Sequence, residues 1–415
     1  MQRPHFFRRR LRVSKLTTTL IFCVLFLIFL LLWSESENGR SNKHSVTELR
    51  SFADQMNSAR LNNAFQYFRS LNASRSQRFY EENLAKYDLD LVISIPTVRR
   101  PTRPGLVEMG YLIQTAAMFD RLLKTDEKFG GKMMFICNTD NMPKEHSEAT
   151  LLQDYLPSIQ LYGNSTSKAV PLVSNIFHYH KNYGNKYSKE TFDYMFCLQT
   201  ALLYKSKYIL MAEDDALPRK ELLPVLYQLL WRQHELVSTG KAIKRKPFFL
   251  IKLYYPERWL GYAYEFPRII ELLGIGAFGW GLFALLFSFL WKRTYCETLT
   301  VATLGGACIV LLALLMGRQK VMELRRLSSH LYFVRPAPDC CTPAVLYRAE
   351  NVSKFLRYLS QGTYDSTRPL DIAMAEYFRA VSESSLYVEP NLFRHIGMYS
   401  SLGKSPKSPE YFLFQ

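Results

Sequence analysis

Tyr208-Ile209-Leu210-Met211-Ala212, followed at once by Glu213-Asp214-Asp215, is the stretch on which the fold turns. An apolar run this short, with charge on both sides, reads as a buried strand. Side chains alternate along an extended chain, so Glu213 and Asp215 share one face at the strand exit and Asp214 takes the other. Two carboxylates about 4 Å apart repel by about 4 kcal/mol at an effective dielectric of about 20, and a cation between them reverses that sign. Hard oxygen donors suit Mg²⁺ or Mn²⁺, which keep some waters and complete their shells with phosphate oxygens. The plainer reading is a solvated acidic turn ahead of a helix that starts at about Pro218.

Upstream, residues 89–95 read as a second strand, ending in the cationic loop Thr97-Val98-Arg99-Arg100. A helical spacing follows over residues 111–123, then a strand over 132–137 with Asn138-Thr139-Asp140 as its exit. Strand, helix and strand in that order argue an α/β unit with a parallel sheet. Ligands of open α/β sheets gather at the carboxyl ends of the strands, so Thr97, Val98, Arg99, Arg100, Asp140, Glu213, Asp214 and Asp215 are expected in one crevice. Arg99 and Arg100 either meet phosphate there or simply cover the surface. Apolar residues recur at loose helical spacing over 48–87, and further on 331–334 reads as a strand and 351–358 and 371–378 as helices.

Three stretches, 16–33, 272–291 and 298–317, carry no charge. About 20 helical residues cross a hydrocarbon core about 30 Å thick, so each is long enough to span. Arg8, Arg9, Arg10, Arg12 and Lys15 precede the first and predict a cytoplasmic N-terminus with a lumenal remainder. The polar run Ser34-Glu35-Ser36-Glu37 follows in place of a small-residue cleavage site, which favours a signal anchor. The other two stretches are joined by a link so short that they must form a hairpin, which returns the chain to the side it left. Lys292 and Arg293 at its tip agree with a cytoplasmic turn, whereas Arg318, Lys320, Arg325 and Arg326 crowd the far end.

The sequons at Asn72, Asn164 and Asn351 lie on both sides of this hairpin and can all be lumenal together. A net charge of +17 partly flanks the spans, and no zinc-finger, RNA-binding or basic-helix pattern accompanies it, so nucleic acid is not the expected partner. Of seven cysteines, Cys137, Cys197, Cys340 and Cys341 form an even lumenal set with three possible pairings. Neighbouring Cα atoms stand about 3.8 Å apart, below the usual disulfide span, so a Cys340 to Cys341 bond calls for strained geometry and the pairing stays open. His178-Tyr179-His180 has no further ligand cluster to make it a metal site.

With Phe393-Arg394-His395-Ile396-Gly397-Met398-Tyr399-Ser400-Ser401-Leu402 in view beside the acid triplet and the Thr97 loop, the chain resembles the nucleotide-sugar glycosyltransferases of the GT-A fold. It is most similar to the Golgi GPI-glycan N-acetylgalactosaminyltransferase family, whose GT-A domain a membrane hairpin interrupts. The expected division is a cytoplasmic tail over 1–15, an anchor over 16–33, a lumenal stem and helical region over 34–87, a catalytic domain in two parts over 88–267 and 318–415, and the hairpin over 268–317. The resemblance implies UDP-GalNAc as donor, Mn²⁺ or Mg²⁺ as cofactor, inversion at the anomeric carbon, and a mannose of a GPI-anchored protein or GPI glycolipid as acceptor. The acid motif of the family, often Asp-x-Asp, falls on Glu213-Asp214-Asp215, which assigns the metal to Asp215 and Glu213. His395 resembles the C-terminal histidine that approaches metal or diphosphate, and Asp371 the acid that serves as general base. The hairpin would hold the crevice near the bilayer, within reach of a lipid-anchored acceptor.

Two rival readings keep the fold. One is an N-acetylglucosaminyltransferase acting on N-glycan antennae, which shares the His-Ile-Gly pattern but not the interrupting hairpin. The other is a non-catalytic membrane lectin or receptor. A channel or transporter would need polar groups inside the spans, and the sequence offers only scattered Ser, Thr and Gly.

Overall fold

The computed structural model describes residues 46–86, 88–100, 109–162, 184–238, 248–256, 261–263, 265–290, 295–381, 384–399 and 407–408. The stretch 16–33, the Asn164 sequon and His178-Tyr179-His180 lie outside the described residues. The chain divides into two compact units, one holding residues 257–324 and the other 46–256 with 325–415.

The larger unit begins with α1 (Val46–Ser70) and α2 (Ala73–Leu84), the helices foreshadowed by the loose apolar spacing. Asn72 caps α2: its side-chain oxygen accepts from the Arg75 N–H at 3.0 Å. There follow β1 (Leu91–Thr97), α3 (Tyr111–Thr125), β2 (Lys132–Asn138), α4 (Ser147–Leu152), β3 (Ser158–Gln160) and α5 (Lys186–Leu203). Then come β4 (Tyr208–Ala212), β5 (Ala216–Pro218), α6 (Leu222–Ser238) and β6 (Phe248–Lys252).

The smaller unit contains α7 (Phe266–Leu290) and α8 (Tyr295–Met316), followed by the short α9 (Arg318–Glu323). Both α7 and α8 are long and apolar enough to cross a membrane. They pack closely because small residues meet: a Cβ on Gly306 would stand 3.0 Å from the Gly276 carbonyl oxygen. The buried Arg318 guanidinium donates to Glu271 at 2.9 and 3.2 Å, so the charge beside the apolar stretch is paired.

The larger unit resumes with β7 (Phe333–Pro336), β8 (Ala344–Arg348), α10 (Ala349–Ser360), α11 (Leu370–Val381), β9 (Ser384–Glu389) and β10 (Phe393–His395). Its main sheet has eight strands in the order β3-β2-β1-β4-β8-β6-β9-β7. β1 pairs in parallel with β2 and β4, β2 with β3, and β6 with β9. β8, by contrast, runs antiparallel between β4 and β6, so the sheet is mixed and not wholly parallel. The reason is local: the loop before β8 delivers the chain at the carboxyl end of β4, where the Glu213 N–H donates to the Pro343 carbonyl at 2.8 Å. Entering at that end, β8 can only run back.

The central strands are buried on both faces. Val92, Ile93, Phe135, Ile136, Ile209 and Leu210 are all fully enclosed, which is why they read as continuous apolar runs without alternation. Each such side chain contributes about 1.5–3 kcal/mol on burial. α5 packs on β1 and β4, and α3 on β2. A disulfide joins Cys137 at the end of β2 to Cys197 on α5, and another joins the neighbours Cys340 and Cys341. The segment after the acids differs from expectation: Ala216–Pro218 is a strand paired with β10, and the helix starts only at Leu222. Pairing with a distant partner overrides local propensity there.

Candidate active site

Strand order reverses between β1 and β4: β2 and β3 lie to one side, while the chain returns past β1 to form β4 on the other. The carboxyl ends at such a switch point diverge and leave a crevice. A cavity of about 540 Å³ sits at these ends, lined by Thr97, Val98, Arg99 and Arg100 after β1, Asp140 after β2, and Glu213, Asp214 and Asp215 after β4. That volume falls within the range of small-ligand sites. His395 and Lys407 close the cavity from the C-terminal side and α5 supplies another wall.

His395 reaches the acids through sheet register. β10 pairs with β5 so that His395 stands opposite Ala216, next to Asp215. The Ile396 N–H donates to the Asp215 carbonyl at 2.8 Å. His395 Nε2 lies 3.4 Å from Asp215 Oδ1, and ligand atoms of Glu213, Asp215 and His395 all fall within 4.8 Å of one another. Residues 180 positions apart, before and after the apolar hairpin in the chain, thus meet at one point.

Asp214 sits with Asp215 in a turn after β4 and is held by Thr97 and Arg100. Thr97 Oγ1 donates to Asp214 Oδ2 at 2.7 Å. Because that hydroxyl spends its proton on Asp214, His146 Nε2, 2.9 Å away, donates to Thr97 Oγ1. Arg100 grips the same carboxylate bidentately, at 2.6 and 3.0 Å, and adds a bond of 2.9 Å to Asp215 Oδ2. Its Nε–H donates to the Tyr399 carbonyl at 3.0 Å, and its guanidinium lies 4.9 Å over the Tyr111 ring. Arg100 thus ties the two acids together from the wall of the cavity. Arg99 pairs with the exposed Glu145, and its N–H donates to Asp140 at 2.9 Å.

The acids differ in electrostatics. Burial alone would raise the Asp215 carboxyl, but His395 and Arg100 outweigh it and hold the group well below the usual carboxylate range. Glu213, accessible from the cavity but enclosed by protein, is pushed up to about 8 by burial and then by the charges of Asp215 and Glu190. A carboxylate so unfavourably placed is one that a cation would settle. The donor chemistry fits as well: Asp215 Oδ1 is buried and, among the described residues, accepts no hydrogen bond. Two carboxylates and an imidazole form a mixed oxygen and nitrogen set that suits Mn²⁺ better than Mg²⁺.

A family model described as GPI-N-acetylgalactosamine transferase PGAP4 matches residues 91–394. The chain belongs to this family. The match runs from the first residue of β1 to within β10, so it takes in the sheet strands on both sides of α7 and α8 in the sequence, and the acid triplet. PGAP4 proteins are glycosyltransferases that act on the GPI glycan.

Asp371, the acid at the start of α11, is not among the residues that line the cavity, although its neighbour Leu370 is. Its carboxylate accepts from the Ile372 N–H at 2.9 Å and the Cys341 N–H at 3.3 Å. Asn72 is exposed, and Asn351 lies partly exposed in the first turn of α10. Sequence reading passed over Lys189, Glu190 and Asp193 of α5, which line the cavity as well. Their only signal was a helical repeat of charged residues, the pattern of any solvated helix face.

Proposed function

We propose that the chain transfers GalNAc from UDP-GalNAc to a mannose hydroxyl of the GPI core glycan, with inversion and with Mn²⁺ or Mg²⁺ as cofactor. In this reading the larger unit is a GT-A domain facing the Golgi lumen, the N-terminus is cytoplasmic, and residues 16–33 form a third span. The observation that carries it is the convergence of Glu213, Asp215 and His395 at the switch point of the sheet. These three residues would hold the cation, which when bound offsets charge on the departing diphosphate. Thr97, Val98, Arg99, Arg100, Asp140 and Asp214 form the nucleotide end of the crevice, with Thr97 and Arg100 fixing Asp214. Lys189 and Lys407 bring positive charge to the same cavity, as a diphosphate requires.

The family match favours a GPI acceptor over an N-glycan antenna. Purified full-length protein supplied with Mn²⁺, a GPI glycan, and either UDP-GalNAc or UDP-GlcNAc provides the test, with UDP release as readout. Release with UDP-GalNAc alone is expected. Release with UDP-GlcNAc alone transfers the assignment to the other sugar, and no release with either favours a binding protein.

A further inference from the structure

Inverting transfer needs a group that accepts the proton of the attacking hydroxyl, and that group must have a lone pair facing the cavity. Asp140 accepts from the Arg99 and Met142 N–H groups at 2.9 and 2.8 Å. Asp193 is paired with Lys189, and Asp214 is held by Arg100 and Thr97. Asp215 and Glu213 belong to the cluster with His395. Asp371 lies outside the cavity lining with both oxygens bonded to backbone N–H groups.

Glu190 is different. It stands on α5 between Lys186 and Asp193 and lines the cavity, half-buried. Lys186, Lys189, Glu190 and Asp193 follow the spacing of one helix face, so α5 turns a whole row toward the ligand space. Among the described residues no hydrogen bond reaches the Glu190 carboxylate. The charged groups around it are Asp371 from α11, Asp193 and Lys186 from its own helix, and Glu213 from the end of β4. Burial first, and then Asp371 and Asp193, push Glu190 up to about 7, where a general base works best near neutral pH.

We propose that Glu190 is the catalytic base of the transfer, an inference that rests on the nucleotide-sugar reading of the cavity. The acceptor O–H bond breaks and its proton passes to the Glu190 carboxylate as the oxygen bonds to the anomeric carbon. The bond from that carbon to the phosphate oxygen breaks in the same step, and its electron pair leaves with UDP. Asp371 acts through Glu190, as a nearby negative charge that keeps it basic.

The experiment compares full-length wild type, Glu190→Gln and Asp371→Asn in two assays: UDP-GalNAc binding by calorimetry with Mn²⁺ present, and GalNAc transfer to a GPI glycan. Glu190→Gln should bind the donor as wild type does and lose transfer by about 1,000-fold, the middle of the range for a general base. Asp371→Asn should lose less. Because a carboxyl raised by burial opposes folding once ionised, Glu190→Gln should also melt higher than wild type at pH 8, a gain that loss of a structural residue would not give. If the Gln variant does not fold, Glu190→Asp decides, with transfer expected to fall at least tenfold at unchanged donor affinity. Transfer within threefold of wild type in either folded Glu190 variant overturns the assignment, as does a larger loss in Asp371→Asn than in Glu190→Gln. Failure of wild type to bind UDP-GalNAc instead defeats the donor reading itself.

Discussion

Gly397 lies against the Asp215 carboxylate with no room for a methyl group: a Cβ built on it would stand 2.5 Å from Asp215 Cγ and closer still to Oδ2. The buried glycine lets the chain after His395 fold over the acid while the Ile396 N–H bonds its carbonyl. Gly397→Ala must move either the carboxylate or the loop that carries His395. A displacement of about 1 Å costs about 100-fold in rate at a reacting centre. GalNAc transfer by Gly397→Ala is expected to fall by at least about that factor, and overpacking of this buried site should lower stability by about 1–3 kcal/mol, seen as a lower melting temperature. Steady-state kinetics and a thermal melt check this together.

Arg100 makes a second prediction. Its side chain is 18% exposed and neutralises Asp214 and Asp215 at once. Removing one partner of a buried pair costs about 3–5 kcal/mol, because the other charges are left uncompensated. Arg100→Ala is expected to lose stability of that order in urea unfolding. Arg100→Lys keeps the charge but cannot make the bidentate contact, so it should fall between wild type and Ala.

Much of this site was legible because its residues leave strands. Apolar runs ending at Ile95, Cys137 and Ala212 announced buried strands, which in the structure end at Thr97, Asn138 and Ala212, and strand ends in α/β sheets are where ligands bind. Strand alternation does not carry past Ala212: residues 214–215 form a turn, and Glu213, Asp214 and Asp215 all line the one cavity. What escaped was set by tertiary contact. The grip of Arg100 on Asp214 spans 114 residues, and no local pattern distinguishes it from a surface cation. Nor does anything near Pro218 reveal that Ala216–Pro218 pairs with β10, the register that brings His395 to Asp215. Glu190 was hidden for a different reason: a charged residue on a helix ordinarily marks the solvent side.

Lys252 predicts a pH dependence with an unusual sign. Buried at the end of β6, its ammonium donates to the carbonyls of Pro338 and Cys340 at 2.8 and 2.7 Å, clamping the loop that precedes Thr342 and β8. Burial pushes it down to about 8 from 10.5, with Asp371 and Asp339 opposing the shift. Between those values the unfolded chain holds the proton that the folded chain has released, so stability from this group rises as pH goes from about 8 to about 10.5. Below 8 both states are charged and the penalty is complete. The difference in unfolding free energy between wild type and Lys252→Met should therefore shift in favour of wild type from pH 8 to pH 9.5. A constant difference would contradict the assignment.

The Cys137 to Cys197 bridge closes a loop of 60 residues and fastens α5, with Lys189, Glu190 and Asp193, to the end of β2. Loop-closure entropy gives such a bond about 4 kcal/mol of stabilisation. Replacing both cysteines by alanine is expected to cost stability of that order in urea and to loosen the α5 wall, seen as faster amide exchange along α5 than along β1.

The most direct test of the central claim is GalNAc transfer to a GPI glycan by wild type and Asp215→Ala, each assayed as purified, after exhaustive chelation, and after Mn²⁺ is restored. Wild type should transfer, stop on chelation and recover with Mn²⁺, while Asp215→Ala stays near background throughout. Undiminished transfer by chelated wild type, or by Asp215→Ala, would contradict a cation-dependent site built from Glu213, Asp215 and His395.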